Sequence, residues 1–259
     1  MVFARPPADR NEALRLALLE LADDHLVLSQ RLGEWCGHAP TLEEDLALTN
    51  LALDLLGTAR TLYATVAERE GKGRSEDDLA MLRVEREYRN LLLVERPNGD
   101  FAHTIARQLF FAAFMRPFWE RALASKDEVV QGVAGKALKE MRYHVRHAGE
   151  WTIRLGDGTE ESHRRMQGAI EALRPYLDEL FVSSEAAQAA EEEGVLPVRA
   201  DIRPEWEETV SDVFARAGLT MPEWPHPRLG GREGFHGEEL GHLLAELQYL
   251  QRAYPGAQW

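Results

Sequence analysis

The stretch KEMRYHVRH, residues 139–147, sets one carboxylate, one tyrosine and two histidines within nine positions of a long helical pattern. Glu140, His144 and His147 stand at i, i+4 and i+7, so one helix face can carry all three. Four-helix bundles that hold two metal ions place a Glu-x-x-His pair on each of two helices. Here the residue three after Glu140 is Tyr143, and the histidine falls one position late. The stretch therefore raises two questions: whether the chain is such a bundle, and whether it holds a metal.

Outward from this stretch the pattern is helical nearly throughout. Leu14, Leu18, Leu21, His25, Leu28 and Leu32 recur at spacings of 4, 3, 4, 3 and 4, an apolar stripe with a histidine in it. EWCGHAP, 34–40, breaks that helix. Thr41, followed by Glu43 and Glu44, is an N-terminal signal of the capping-box kind. The second helix runs to about Glu70. LALTNLALDLLG is apolar on most faces, which predicts a helix at the centre of the bundle. A polar loop, GKGRSEDD, leads to a shorter helical piece at about 79–93, which PNGD at 97–100 stops. The third long helix, about 101–124, is rich in aromatics, and Pro117 is expected to kink or break it. The fourth covers about 127–155 and a fifth about 159–182. Proline- and glycine-rich segments then flank helices at about 204–217 and 236–253. No strand-like alternation, fixed repeat or low-complexity tract stands out. The expected fold is all-α: an up-down bundle in one domain, 1–259, with a core at about 10–182 and a C-terminal helical extension at about 183–259.

Composition narrows the functions. The 259 residues are 44% hydrophobic, enough for a sizeable core, and the net charge of −14 disfavours nucleic acid or an anionic membrane as partner. The apolar run LFFAAFM, 109–115, is far shorter than the ~20 residues a membrane span requires. MVFARPPADR lacks the apolar core of a secretory signal, and one cysteine, Cys36, allows no internal disulfide, so a cytoplasmic location is expected.

A carboxylate-bridged di-iron centre needs a carboxylate from each of two helices and Glu-x-x-His from each of the other two. Asp24 and Asp54 lie 15 residues either side of Ala39, near the middle of the first turn, and are expected at one height. Leu51, Leu53, Leu55 and Leu56 around Asp54 suggest burial. The remaining ligands fail. Three after Asp54 stands Gly57, and from Phe101 to Trp119 there is no Asp or Glu. At the height of Glu140 the third helix offers Ala112, with Gln108 and Arg116 a turn to either side. Amide, guanidinium and phenol satisfy carboxylates but replace iron ligands poorly. The expectation is a buried polar network of Asp24, Asp54, Gln108, Glu140, Tyr143 and His144, without metal, cofactor or catalytic residue. His25 is expected to be a hydrogen-bonded core histidine. The competing reading is an autonomous di-iron or mononuclear oxidase on Glu140, His144 and His147 with Asp24 and Asp54. A third is a helical scaffold for some other partner.

Other signals are weaker. Lys136, Lys139, Arg142 and Arg146 form a basic stripe that reads as a solvated flank, or as a dock for an acidic partner or a phosphate-bearing substrate. GGREG lacks the preceding strand of a phosphate loop. Cys36, between Trp35 and Gly37, reads as packing or turn rather than nucleophile.

EWCGHAP, LALDLLGTAR, NLLLVERPNGDFAHTIARQ, KEMRYHVRH and AELQYLQRAYPGAQW together resemble the C subunits of bacterial phenylacetyl-CoA 1,2-epoxidase complexes, from about Leu26 to Trp259. MVFARPPADRNEALR matches least. The resemblance implies a ferritin-like bundle and a structural, non-catalytic member of a multicomponent monooxygenase. Its expected partners are a homologous catalytic A subunit that bears the di-iron site, a reductase and a further small subunit; alone it could form a homodimer. No ligand carries over, because Gly57 and Tyr143 occupy the positions where ligands would stand.

Overall fold

The computed structural model describes residues 7–257, and among them all regular structure is helical. MVFARP at the start, and Gln258 and Trp259 of the last matching block, lie outside the described residues. In chain order the α-helices are α1 (Arg10–Gly33), α2 (Leu42–Glu70), α3 (Glu76–Met81), α4 (Leu92–Glu95), α5 (Phe101–Ala122), α6 (Glu128–Gly156), α7 (Glu160–Leu173), α8 (Glu185–Glu192), α9 (Arg203–Ala217), α10 (Glu238–Leu247) and α11 (Tyr249–Ala253). The long four, α1, α2, α5 and α6, form an up-down ferritin-like bundle over one continuous apolar core.

Their starts follow from capping chemistry. Asp9, Thr41, Asp100 and Asp127 each accept a hydrogen bond from a first-turn N–H, which satisfies a donor the helix leaves free. Thr41 caps as expected, but Glu44 does not close the box; its carboxylate is turned to His147 on α6.

Several boundaries differ from the sequence reading. The piece at 79–93 is not one helix: α3 ends at Met81, and apart from a 3-10 turn at Glu85–Glu87 the chain runs extended to Leu91. The fifth helix stops at Leu173, because Pro175 converts its continuation into two 3-10 turns. Pro117 does not end α5, which runs on to Ala122. α8 occupies a stretch not expected to be helical and packs on α1. The final helix is divided at Gln248, whose side chain turns inward to donate to the carbonyls of Ala80 and Arg83. Cys36 is exposed in the α1–α2 turn.

The extended segment exists because acidic groups on α1 capture its backbone. Asp23 accepts from Arg89 N–H at 2.8 Å, from Tyr63 Oη at 2.6 Å and from the guanidinium of Arg83. Asp24 accepts from Leu91 N–H at 2.7 Å and takes both arms of Arg232, at 3.0 and 2.7 Å. Glu179 accepts from the N–H groups of Leu92, Gly230 and Gly231. GGREG therefore does cradle an anion, one supplied by its own chain. A Cβ at Gly231 would overlap the carbonyl of Asn90, so this close approach requires glycine.

Glu95 completes the lock, accepting from Asn90, Gly237 N–H, Arg96 and His236. His236 donates from Nδ1 to Glu95 and from Nε2 to the carbonyl of Tyr88, so both ring nitrogens carry protons. Burial opposes that charge, but the Glu95 carboxylate overcomes it and raises the His236 pKa. Burial raises the pKa of Glu20 too, against Arg232 and Arg199.

Asp24 and Arg232 are both buried, so removing one partner leaves a charge stranded in a low dielectric. Arg232→Ala is expected to lower unfolding stability by about 3–5 kcal/mol in chemical denaturation. Adding Asp24→Asn to that variant should recover part of the loss, since the stranded charge goes with it.

Candidate functional site

The centre of the bundle is built from α1, α2, α5 and α6. α6 runs antiparallel to α2: Glu44, Asp54 and Arg69 pair in that order with His147, His144 and Asp127. α5 points Gln108 at the same place. Of the residues read as a degenerate site, Asp54, Gln108 and His144 form one chain of hydrogen bonds. Gln108 Nε2 lies 3.0 Å from His144 Nδ1, and His144 Nε2 lies 3.2 Å from Asp54 Oδ2. The amide donates to Nδ1, so the ring proton sits on Nε2 and is donated to the carboxylate. Burial lowers the His144 pKa against the pull of Asp54, which favours this neutral tautomer.

Glu140 lies beside this chain and meets Lys136 at 3.3 Å. Burial raises its pKa, the negative Asp54 adds to that, and Lys136 opposes it. The Lys136 amine also lies 3.1 Å from where a Cβ of Gly57 would stand. Three residues after Asp54, where Glu-x-x-His would bring an imidazole, a neighbouring helix thus supplies an ammonium.

Two of the expected members are elsewhere. Asp24 is spent on Arg232 and Leu91 and does not join Asp54. Its neighbour Asp23 meets Tyr63, nine residues beyond Asp54, so the aspartates do not share a height. The equal spacing about Ala39 misleads because the turn is not symmetric. Tyr143 is 39% exposed, with Arg146 over its ring, and takes no part in a buried network. Asp54 itself is only half-buried, because Leu53 and Leu56 beside it face outward. α2 is therefore not the central helix its composition suggested.

The rescue set also separates: His144 goes to Asp54, His147 to Glu44 at 2.9 Å and Glu140 to Lys136. Among the described residues no three His, Cys, Asp or Glu side chains gather to hold a metal ion. The donor chemistry does not fit a di-iron centre, since an amide is a weak iron ligand and an ammonium has no lone pair to give. Glu44 and Lys136 were missed as members of this region. Lys136 was legible as the i−4 neighbour of Glu140; Glu44 had only its capping signal.

His25 is buried and donates from Nδ1 to the carbonyl of Leu21 at 2.7 Å. Its Nε2 has no hydrogen-bond partner among the described residues, and its ring packs against Phe111 and Trp119.

A four-helix bundle with a hydrogen-bonded polar centre, strapped by a long C-terminal extension, defines the class of protein. The chain belongs to the phenylacetic acid catabolic protein family, whose model matches residues 4–259. It is similar to the Escherichia coli K12 protein named as the C subunit of 1,2-phenylacetyl-CoA epoxidase: 49% identical over 241 residues, covering 93% of this chain and 97% of that one. The likeness to C subunits read from the sequence blocks is thereby borne out.

Burial holds the His25 pKa down to about 4 from an ordinary 6.5. The unfolded chain then binds the extra proton between these values, so stability falls as pH drops through that window. The His25 share is about 2 kcal/mol between pH 7 and pH 5. His25→Phe should remove it, leaving a shallower decline when urea unfolding is measured at the two pH values.

Proposed function

We propose that this chain is a structural, non-catalytic subunit of a cytoplasmic phenylacetyl-CoA epoxidase complex. In that role it supports a homologous catalytic subunit that holds the iron, within phenylacetate catabolism. One observation carries the reading: the bundle centre holds an amide, an ammonium and a glycine where a di-iron centre needs a carboxylate and imidazoles. The family membership and the name of the E. coli relative support the pathway and the assembly. No helix among the described residues is long and apolar enough to cross a membrane.

Reconstitution tests this directly. With the catalytic subunit and reductase present, epoxidation of phenylacetyl-CoA should require this chain and survive His144→Ala in it. The purified chain loaded anaerobically with ferrous iron should retain far less than one iron per chain by elemental analysis. Stoichiometric iron lost on His144→Ala, or turnover by the chain with reductase alone, would overturn the reading in favour of an autonomous oxidase.

A further inference from the structure

α2 carries two apolar faces. One packs on the core through Leu48, Leu51, Leu55 and Leu62. The other holds Leu42, Leu46, Leu53 and Leu56, at spacings of 4, 7 and 3, and these are exposed, Leu42 by 72% and Leu53 by 58%. A row at such spacings is the seam of a helix that expects another helix. α6 lies alongside, and between them runs a shallow groove of about 270 Å³ lined by Gly57, Thr61, Val129, Gly132 and Lys136. The outer side of α6 continues the surface with exposed Val129 and Tyr143 and with the stripe Lys136, Lys139, Arg142 and Arg146. Among the described residues Lys139 makes no ion pair, and Arg146 rests on the Tyr143 ring.

We propose that this α2–α6 face is the docking surface for the catalytic subunit, which would meet it with an apolar helical seam flanked by carboxylates. The inference rests on the structural-subunit reading and adds to it the surface and its chemistry. Size is adequate. Residues 42–64 of α2 and 129–150 of α6 each span roughly 30 Å at 1.5 Å per residue, and two helices side by side are about 20 Å wide. That footprint is of the order of the ~800 Å² per partner of a standard interface.

Charge selects the occupant. In an isologous pairing of this face with its own copy, each α6 row meets either itself or the copy's leucines. The first sets like charges together; the second buries Lys139 and Arg146 against apolar chains with no acid of their own. Two stripe cations already hold carboxylates, Lys136 with Glu140 and Arg142 with Glu120 on α5, while Lys139 and Arg146 make no ion pair among the described residues and form the uncompensated part of the stripe. A different subunit with an acidic rim removes both costs.

The test uses the full chain and the co-expressed catalytic subunit. Leu53→Glu with Leu56→Glu should weaken their binding by ~100-fold or more, as loss of central apolar anchors does. Circular dichroism and thermal midpoint should stay as in the parent, because both side chains face outward. Lys139→Glu with Arg146→Glu should weaken binding at low salt and flatten its salt dependence. Leu82→Glu with Leu250→Glu, exposed leucines elsewhere, should change nothing. If the parent binds the catalytic subunit and the Leu53/Leu56 variant binds it equally well, the docking surface is wrong while the structural reading stands. If the variant only converts a homodimer to monomer, the face is a self-association surface and the proposal falls. If the parent itself never binds the catalytic subunit, the structural reading fails first.

Discussion

The fold depends on one constraint: buried carboxylates on α1 must find partners, and the rest of the chain is routed to supply them. Asp23, Asp24 and Glu20 lie on one helix in the space of five residues, all at 1% exposure or less. An isolated ionised carboxylate in that setting is too costly to keep. Arg83, Arg199 and Arg232 come to them from 60 to more than 200 residues away, and the N–H groups of Arg89 and Leu91 join in. This fixes where the chain from Tyr88 to Leu91 must run, and why it is not helical: the amide hydrogens of Arg89 and Leu91 are already committed. It also fixes the C-terminal extension, since Arg232 reaches Asp24 only if the glycine turn beside it folds over Glu179. Such a network contributes little as a sum of pairs, because desolvation offsets much of the attraction. Its effect is on specificity, since any other path for the extension would strand several charges at once.

The four long helices were legible in the sequence because their signals are local. Apolar spacing, Gly and Pro breaks and the Thr41 cap are read within a few turns. The strap was not legible, because what holds it is a set of side chains remote in sequence. Asp24 shows the same limit. Its surroundings on α1 said it was buried, and that was right. Nothing local said that its partner would be an arginine 208 residues later rather than an aspartate across the turn. α2 fails differently. An apolar helix reads alike whether its second face is covered by its own chain or left bare, so sequence alone chose burial where the structure leaves Leu42, Leu46, Leu53 and Leu56 outside.

The centre of the bundle and that bare face are connected through α2. On the side toward α6 the helix carries Glu44, Asp54 and the gap at Gly57, answered by His147, His144 and Lys136. These polar contacts set the register of the two helices much as shared metal ligands would: each pair is directional, and a slip of one turn breaks all of them together. Apolar packing alone tolerates sliding, and these directional pairs oppose it. Once α2 and α6 are held in register from the inside, their outer sides form a fixed surface rather than two independent helices. The Lys136 ammonium belongs to both sides, paired inward with Glu140 and standing at the edge of the outer groove. Anything that covers the groove removes water from that ion pair and so strengthens the attraction within it. On this geometry the polar centre is the support on which a docking face is mounted.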